Sequence, residues 1–242
     1  MIIGAICLAP FASLLLMDDR VFPDNIYCDY ESFQLPVREF AREEFLTGRF
    51  PLWIPYLGCG MPLHAGQQAS LCHPLLTPLV LVLGGNQGLK ACLFLQFAIA
   101  FAGAYVLARG VAISRWGASL AGVVVTWGAF GVLHLMEGHV TICLAYACAP
   151  WLFVVLNRLL RRPCARNCAW LALVIACLAV GGHPQVPYYA FLFGVLWAAG
   201  SIVFGAASTR RWQTVAWGAV AAACAALISA PQVLPAMELA TA

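Results

Sequence analysis

Residues 88–115 read GLKACLFLQFAIAFAGAYVLARGVAISR. The run 88–108 is almost entirely apolar, and it ends at Arg109, with Arg115 just across a short turn. About 20 apolar residues at a ~1.5 Å rise per residue cross a ~30 Å hydrocarbon layer, so this stretch predicts a membrane-spanning helix. The same reading extends outward to 116–135, 188–207 and 212–230, and to two shorter runs at 141–157 and 168–182. The run 1–17 is at the short limit. It lacks a basic leading region and a small-residue cleavage site before Asp18, which makes it a first span rather than a cleaved signal. The stretch 71–84 holds Pro74 and Pro78 and predicts a juxtamembrane or re-entrant piece that does not cross.

Composition agrees. Of 242 residues, 13 are Lys or Arg and 10 are Asp or Glu, 63% are hydrophobic, and mean hydropathy is +0.87. Soluble domains carry about a quarter charged residues. There is too little polar surface here for a soluble enzyme, a disordered chain or a nucleic-acid binder. The expected fold is all-α: a polytopic membrane helix bundle of about seven spans, one membrane domain over 1–242, with a long first loop carrying juxtamembrane helices.

Orientation comes from charge. Arg109 and Arg115 flank one turn, Arg158, Arg161, Arg162 and Arg166 fill a second, and Arg210 and Arg211 a third; none holds an acid. The positive-inside rule assigns these turns to the cytoplasm. Alternation then assigns 18–87, 136–140, 183–187 and the C-terminus to the outside and the N-terminus to the inside. Eight of the ten acids fall in 18–49, the others being Glu137 and Glu238, and all five histidines (His64, His73, His134, His139, His183) share the outer side. Keeping arginine inside explains the acids but not the histidines. Most of the eleven cysteines lie in apolar runs as small packing residues. Cys28, Cys59 and Cys72 lie in the polar loop and allow one bridge at most.

Within that loop, 36–45 predicts a helix opened by Pro36 and closed by Gly48, with Val37, Phe40 and Ala41 on one face and Glu39 and Glu43 on another. It suits the membrane interface or a plain surface helix equally. The Gly- and Pro-rich run 48–62 predicts a shaped turn region, in which Trp53 and Tyr56 either anchor the interface or stack on a sugar or headgroup. Asp29, set between Cys28 and Tyr30, has three readings: a base towards a hydroxyl, a ligand for a phosphate-holding divalent cation, or a solvated loop acid. Arg38, Arg42 and Arg49 either neutralise a phosphate or pair with Glu39, Glu43 and Glu44. His134, Glu137 and His139 either line an outer cavity or bind a metal, although they lack a fourth ligand. His183 and Gln185, in the turn Gly182–Pro187, either cap it or present donors to the same cavity. Gly194, Gly200 and Gly205 predict close helix packing.

The ordered set Asp29…Gln34-Leu35-Pro36, Gly48-Arg49-Phe50-Pro51-Leu52-Trp53-Ile54-Pro55-Tyr56, Gly58-Cys59-Gly60-Met61-Pro62, Gly103–Arg109, Gly182-His183-Pro184-Gln185 and Pro231-Gln232-Val233-Leu234-Pro235…Glu238-Leu239 resembles the YfhO family of bacterial membrane proteins, which are similar to GT-C glycosyltransferases. The resemblance implies a bacterial cytoplasmic (inner) membrane protein that transfers a sugar from a polyprenyl-phosphate-linked donor to a cell-envelope acceptor on the outer face. It implies Asp29, then Asp24, as catalytic acids. The candidate substrate contacts beside these acids are Gln34, Arg38, Arg49, Trp53, Glu137, His139, His183 and Gln185, with Mg or Mn as the candidate cation. Longer members continue with more spans and an outer domain, so a fragment or shortened member is expected. Two other readings compete: a transporter or flippase of lipid-linked sugars, and a non-catalytic membrane partner. A transporter needs polar side chains at mid-depth, and the spans here are almost entirely apolar or small.

Overall fold

A computed structural model describes residue 9, residues 28–204 and residues 211–241. The expected first span 1–17, residue 9 apart, lies outside the described residues, and so do Asp24, Gly205 and Arg210.

A π-turn over Tyr30–Gln34 leads into α1 (Leu35–Leu46), with Pro36 in the first turn, where its missing N–H costs nothing. Thr47 Oγ1 donates to the carbonyls of Glu43 and Glu44, and Gly48 at φ +77° turns the chain away. Val37 and Ala41 are buried, as their shared face predicts. A two-residue antiparallel ladder follows, β1 (Trp53–Ile54) on β2 (Met61–Pro62). α2 (Leu76–Leu83) is eight residues long, about 12 Å at ~1.5 Å per residue, and so cannot cross a bilayer.

The apolar helices come next: α3 (Gly85–Gly110), α4 (Arg115–Trp127), α5 (Ala129–Met136), α6 (Val140–Arg161), α7 (Ala165–Ala179), α8 (Gln185–Val203) and α9 (Arg211–Thr241). Among the described residues five segments are long and apolar enough to cross a membrane: α3, α4 with α5, α6, α8 and α9. α7 is apolar but has 15 residues. The chain is therefore an all-α bundle of the membrane type.

Two segments depart from expectation. The stretch 116–135 is two helices, because Gly128 adopts an extended backbone; a Cβ there would meet the Val124 carbonyl oxygen at 2.5 Å. The run 212–230 continues through Pro231 and Pro235 to Thr241, for a reason given below.

α6 is the central helix, packing on α3, α7 and α8, while α4 lies on α3 and α9 on α7. Ile142, Leu152, Val155 and Leu159 of α6 share a buried core with Leu171 and Leu178 of α7 and Ala221 and Ala225 of α9. Large apolar side chains on the outer faces, such as Leu120, Val195 and Leu227, are exposed, as a lipid-facing surface requires. The glycines expected at helix contacts are not the tight ones. Gly194 meets Leu152 only at ordinary contact distance and Gly200 meets nothing, because both sit on the sparsely packed α8. The close approaches are at Gly103, where a Cβ would meet the Trp151 ring at 2.8 Å, and at Gly122, where one would meet the Phe101 ring at 2.7 Å.

The bundle has two unlike ends. Gly110, Arg115, Arg161 and Arg166 collect at one end, where Arg161 Nη2 donates to the Gly110 carbonyl at 3.2 Å. Residues 28–84 fold over the other end and touch the turns at 137–139 and 181–182 and the helix at 231–232. In a cysteine-free background, an impermeant maleimide applied to intact cells is expected to label a cysteine placed at Glu43 and to spare one at Arg162. Labelling at Arg162 alone would invert the orientation.

Candidate functional site

The histidine-bearing end is built by close backbone approaches. Gly138 sits at φ +74°, and a Cβ there would overlap the Tyr30 backbone nitrogen. Glycine thus lets the 137–139 turn abut 28–30, where Asp29 N–H donates to the Glu137 carbonyl at 3.1 Å. Tyr30 is buried and its hydroxyl donates to Asn86 Oδ1 at 2.9 Å; burial, aided by Cys28 and Glu39, pushes its pKa up, so it stays a neutral donor. Glu39 Oε1 accepts from the Gly85 N–H at 2.9 Å, capping α3 from a neighbouring helix.

On this frame stand three side chains in a row. Asp29 Oδ2 lies 3.3 Å from His139 Nε2, and His139 Nδ1 lies 2.9 Å from His134 Nδ1. One ring must donate in the second contact. If His139 gives its Nε2–H to Asp29, its neutral Nδ1 accepts the Nδ1–H of His134, forming a carboxylate–imidazole–imidazole relay. The Asp29 side chain is half exposed (52%), so the carboxylate is reachable by solvent. His183 sits in the adjoining turn. Its Nδ1 accepts from the Gln185 N–H at 3.4 Å, which assigns the ring proton to Nε2. Burial lowers the His183 pKa and the His139 charge lowers it further, so it is a neutral donor near pH 7.

The other expected site residues divide. Glu137 and Gln185 are exposed and belong to this end through their backbone groups. Gln34 and Arg38 turn inward: both are 2% exposed, and Arg38 Nη2 donates to Gln34 Oε1 at 3.1 Å and to the Gln68 carbonyl at 3.0 Å. Burial pulls the Arg38 pKa down to about 10. Arg49 forms a bidentate pair with Glu44 at 2.7 and 2.9 Å on the surface, the pairing alternative for this arginine. Trp53 is exposed, with its indole packed over Gly60. Among the described residues no bond joins Arg49 or Trp53 to Asp29, Cys59 and Cys72 are free thiols, and no three His, Cys, Asp or Glu side chains converge as a metal-holding group.

Two arrangements escaped the sequence reading. The first joins the loop over 63–73 to α9. His64 Nε2 donates to the Pro231 carbonyl at 2.7 Å. That carbonyl's usual helical donor would be the N–H of residue 235, which is proline and has none. Gln232, 1% exposed, bridges the same loop: its Nε2 donates to the His64 carbonyl at 3.0 Å, and its Oε1 accepts from the Cys72 N–H at 3.2 Å. These bonds let α9 run through its prolines. The i,i+4 proline spacing was the readable signal.

The second is His73, whose Nδ1 accepts from the Leu76 N–H at 3.1 Å and the Leu75 N–H at 3.3 Å and so caps α2. Burial first, and Arg38 second, lower its pKa to about 4. An unfolded His titrates near 6.5, so the unfolded chain binds the extra proton first as pH falls. Stability is present above about pH 6.5 and is lost towards about pH 4, by on the order of 3 kcal/mol. A melting series from pH 7 to 4.5 is expected to show this slope, and His73→Asn, which caps without titrating, to flatten it.

No protein-family model, no curated protein and no solved structure matches the chain, so its function rests on the side chains gathered at this end.

Proposed function

We propose that the chain is a membrane glycosyltransferase-like protein of the YfhO and GT-C kind. It moves a sugar from a polyprenyl-phosphate carrier to a hydroxyl acceptor at the outer face of a bacterial cytoplasmic membrane. The supporting observation is the Asp29–His139–His134 row at the accessible end of an apolar bundle. His139 holds Asp29 Oδ2, and among the described residues Oδ1 has no partner. In the transfer, the acceptor oxygen bonds to the anomeric carbon as the bond to the carrier phosphate oxygen breaks. The acceptor proton passes to Asp29 Oδ1, and the electron pair leaves with the polyprenyl phosphate. His183 Nε2–H is the nearby neutral donor for developing charge on the leaving oxygen.

The transporter reading finds less support. Gln96 is buried midway along α3 with its Oε1 unpaired, but the gap beside it, against Phe97 and Cys143, has no room for a water. The testing experiment reconstitutes the chain in proteoliposomes with a labelled polyprenyl-phosphate sugar and follows release of the carrier phosphate. Release is expected. Translocation of the intact donor without cleavage would replace the proposal by the flippase reading.

A further inference from the structure

The arginine end holds a second constructed site, independent of the catalytic reading. Arg158, Arg161 and Arg162 at the end of α6 and Arg166, Asn167 and Trp170 at the start of α7 line an open pocket of about 600 Å³. Among the described residues no carboxylate pairs with any of the four arginines, and the one bond their guanidinium groups make is Arg161 to the Gly110 carbonyl.

Asn167 explains why the guanidinium groups are spared. Its Nδ2 donates to the carbonyls of Arg158 at 3.2 Å and Arg162 at 2.8 Å, satisfying the C-terminal end of α6. The N-terminus of α7 opens into the same place. Its N-cap residue, Cys164, supplies no side-chain bond, and its first turn has no acid, so its N–H groups and the positive end of its dipole remain available to an anion. The other fully described arginine turn differs: Arg109 Nη1 is spent on the Ile113 carbonyl at 2.6 Å. A general excess of positive charge would not gather one pocket of largely unspent guanidinium groups and leave the other turn internally bonded.

A hydrophobic partner surface adjoins the pocket. From Asn167 the i,i+4 row Leu171, Ile175, Ala179 runs up α7 into an apolar groove of about 580 Å³, walled by α8 and α9 and floored by small residues such as Gly218 and Ala222. From Gly218 to Met237 the groove follows 20 residues of α9, about 28 Å over the helical rises between them at ~1.5 Å each, close to the depth of a bilayer core. Trp170 stands exposed between pocket and groove, at the level where indoles mark the interface.

We propose that this pocket and groove form one binding site for an anionic phospholipid. The phosphate is held by the Arg158/Arg161/Arg162/Arg166 forks and the α7 N-terminus, and an acyl chain lies along the α7–α8–α9 groove. The shared chemistry, a phosphate among guanidinium groups, would also suit a soluble phosphate; the groove selects the lipid.

The test uses the full chain in neutral detergent and measures equilibrium binding of a fluorescent-tailed phosphatidylglycerol. Unlabelled phosphatidylglycerol is expected to compete, whereas phosphatidylcholine is not. The pair Arg162→Gln/Arg166→Gln is expected to weaken binding about tenfold or more, and Arg109→Gln/Arg115→Gln to change it less than about twofold. All four pocket arginines are exposed, so the glutamine pair leaves the core untouched. Arg162→Lys/Arg166→Lys, which keeps the charge, gives a second reading with a loss of about threefold, because lysine lacks the fork. Equal losses in the pocket and control pairs, or no loss in either pocket pair, would overturn the site. Saturable binding of inorganic phosphate without lipid binding would overturn the lipid assignment.

Discussion

Asn in place of Asp29 is expected to lower sugar transfer by about 10²–10⁴-fold, the usual cost of losing a general base, while the protein still folds and inserts. The exchange keeps size and leaves an oxygen to accept from His139 Nε2. It removes the negative charge and the site that would receive the acceptor proton. Asp29 is exposed and its backbone N–H bond to Glu137 does not involve the side chain, so folding has little stake in the carboxylate. His139→Gln should fall between wild type and Asp29→Asn, because it removes the orienting ring but not the base. Asp18→Asn and Asp19→Asn are expected to be mild, as acids at the exit of the first apolar run, and Asp24→Asn distinguishes one acid from two. Carrier-phosphate release in the proteoliposome assay, with purified monodisperse protein, is the measurement. Wild-type release from Asp29→Asn would end the base assignment and favour a transporter or partner role.

Much of the frame was legible because the solvent is legible. A chain that must cover its backbone polar groups in lipid announces its helices as long apolar runs, and α3, α6 and α8 lie where those runs are. α1 was readable for another reason: Pro36 and Gly48 are local backbone signals that depend on no distant residue. The site was legible in type and only partly in membership. That the acids share one end follows from charge sorting along the chain; that the histidines share it was read from their positions in the sequence. Which of them meet depends on Gly138, whose role exists only because Tyr30 comes against it. Gln34 and Arg38 look like surface polar groups in the sequence. The loop over 63–73 buries them, and a sequence-local reading cannot supply that cover. The arginine turns read as topology markers. That the 158–166 turn lines a pocket depends on how α6 and α7 meet.

Replacing Gln232 by Leu is expected to destabilise the protein strongly. Leucine has nearly the same volume, so packing is kept and the effect isolates the hydrogen bonds. Gln232 is almost wholly buried and serves two backbone groups of the 63–73 loop, the His64 carbonyl and the Cys72 N–H. Stranding each of these groups costs about 1–3 kcal/mol, so the two together amount to several kcal/mol. The His64 ring would then hold the loop to α9 alone, through the Pro231 carbonyl that Pro235 leaves without a donor. The loss should appear as a lowered melting temperature in detergent. It should also appear as faster hydrogen exchange confined to 63–73 and 228–236, with α3 and α6 unchanged. Gln232→Glu keeps an acceptor for Cys72 but sets a buried carboxylate oxygen against the His64 carbonyl, so near pH 7 its effect should be at least as large as that of leucine. A melting temperature unchanged in Gln232→Leu would mean that the loop is held by its apolar contacts, chiefly Ile54, Leu63 and Leu71 against Val37 and Ala41, and that the prolines of α9 need no help from the loop to stay helical.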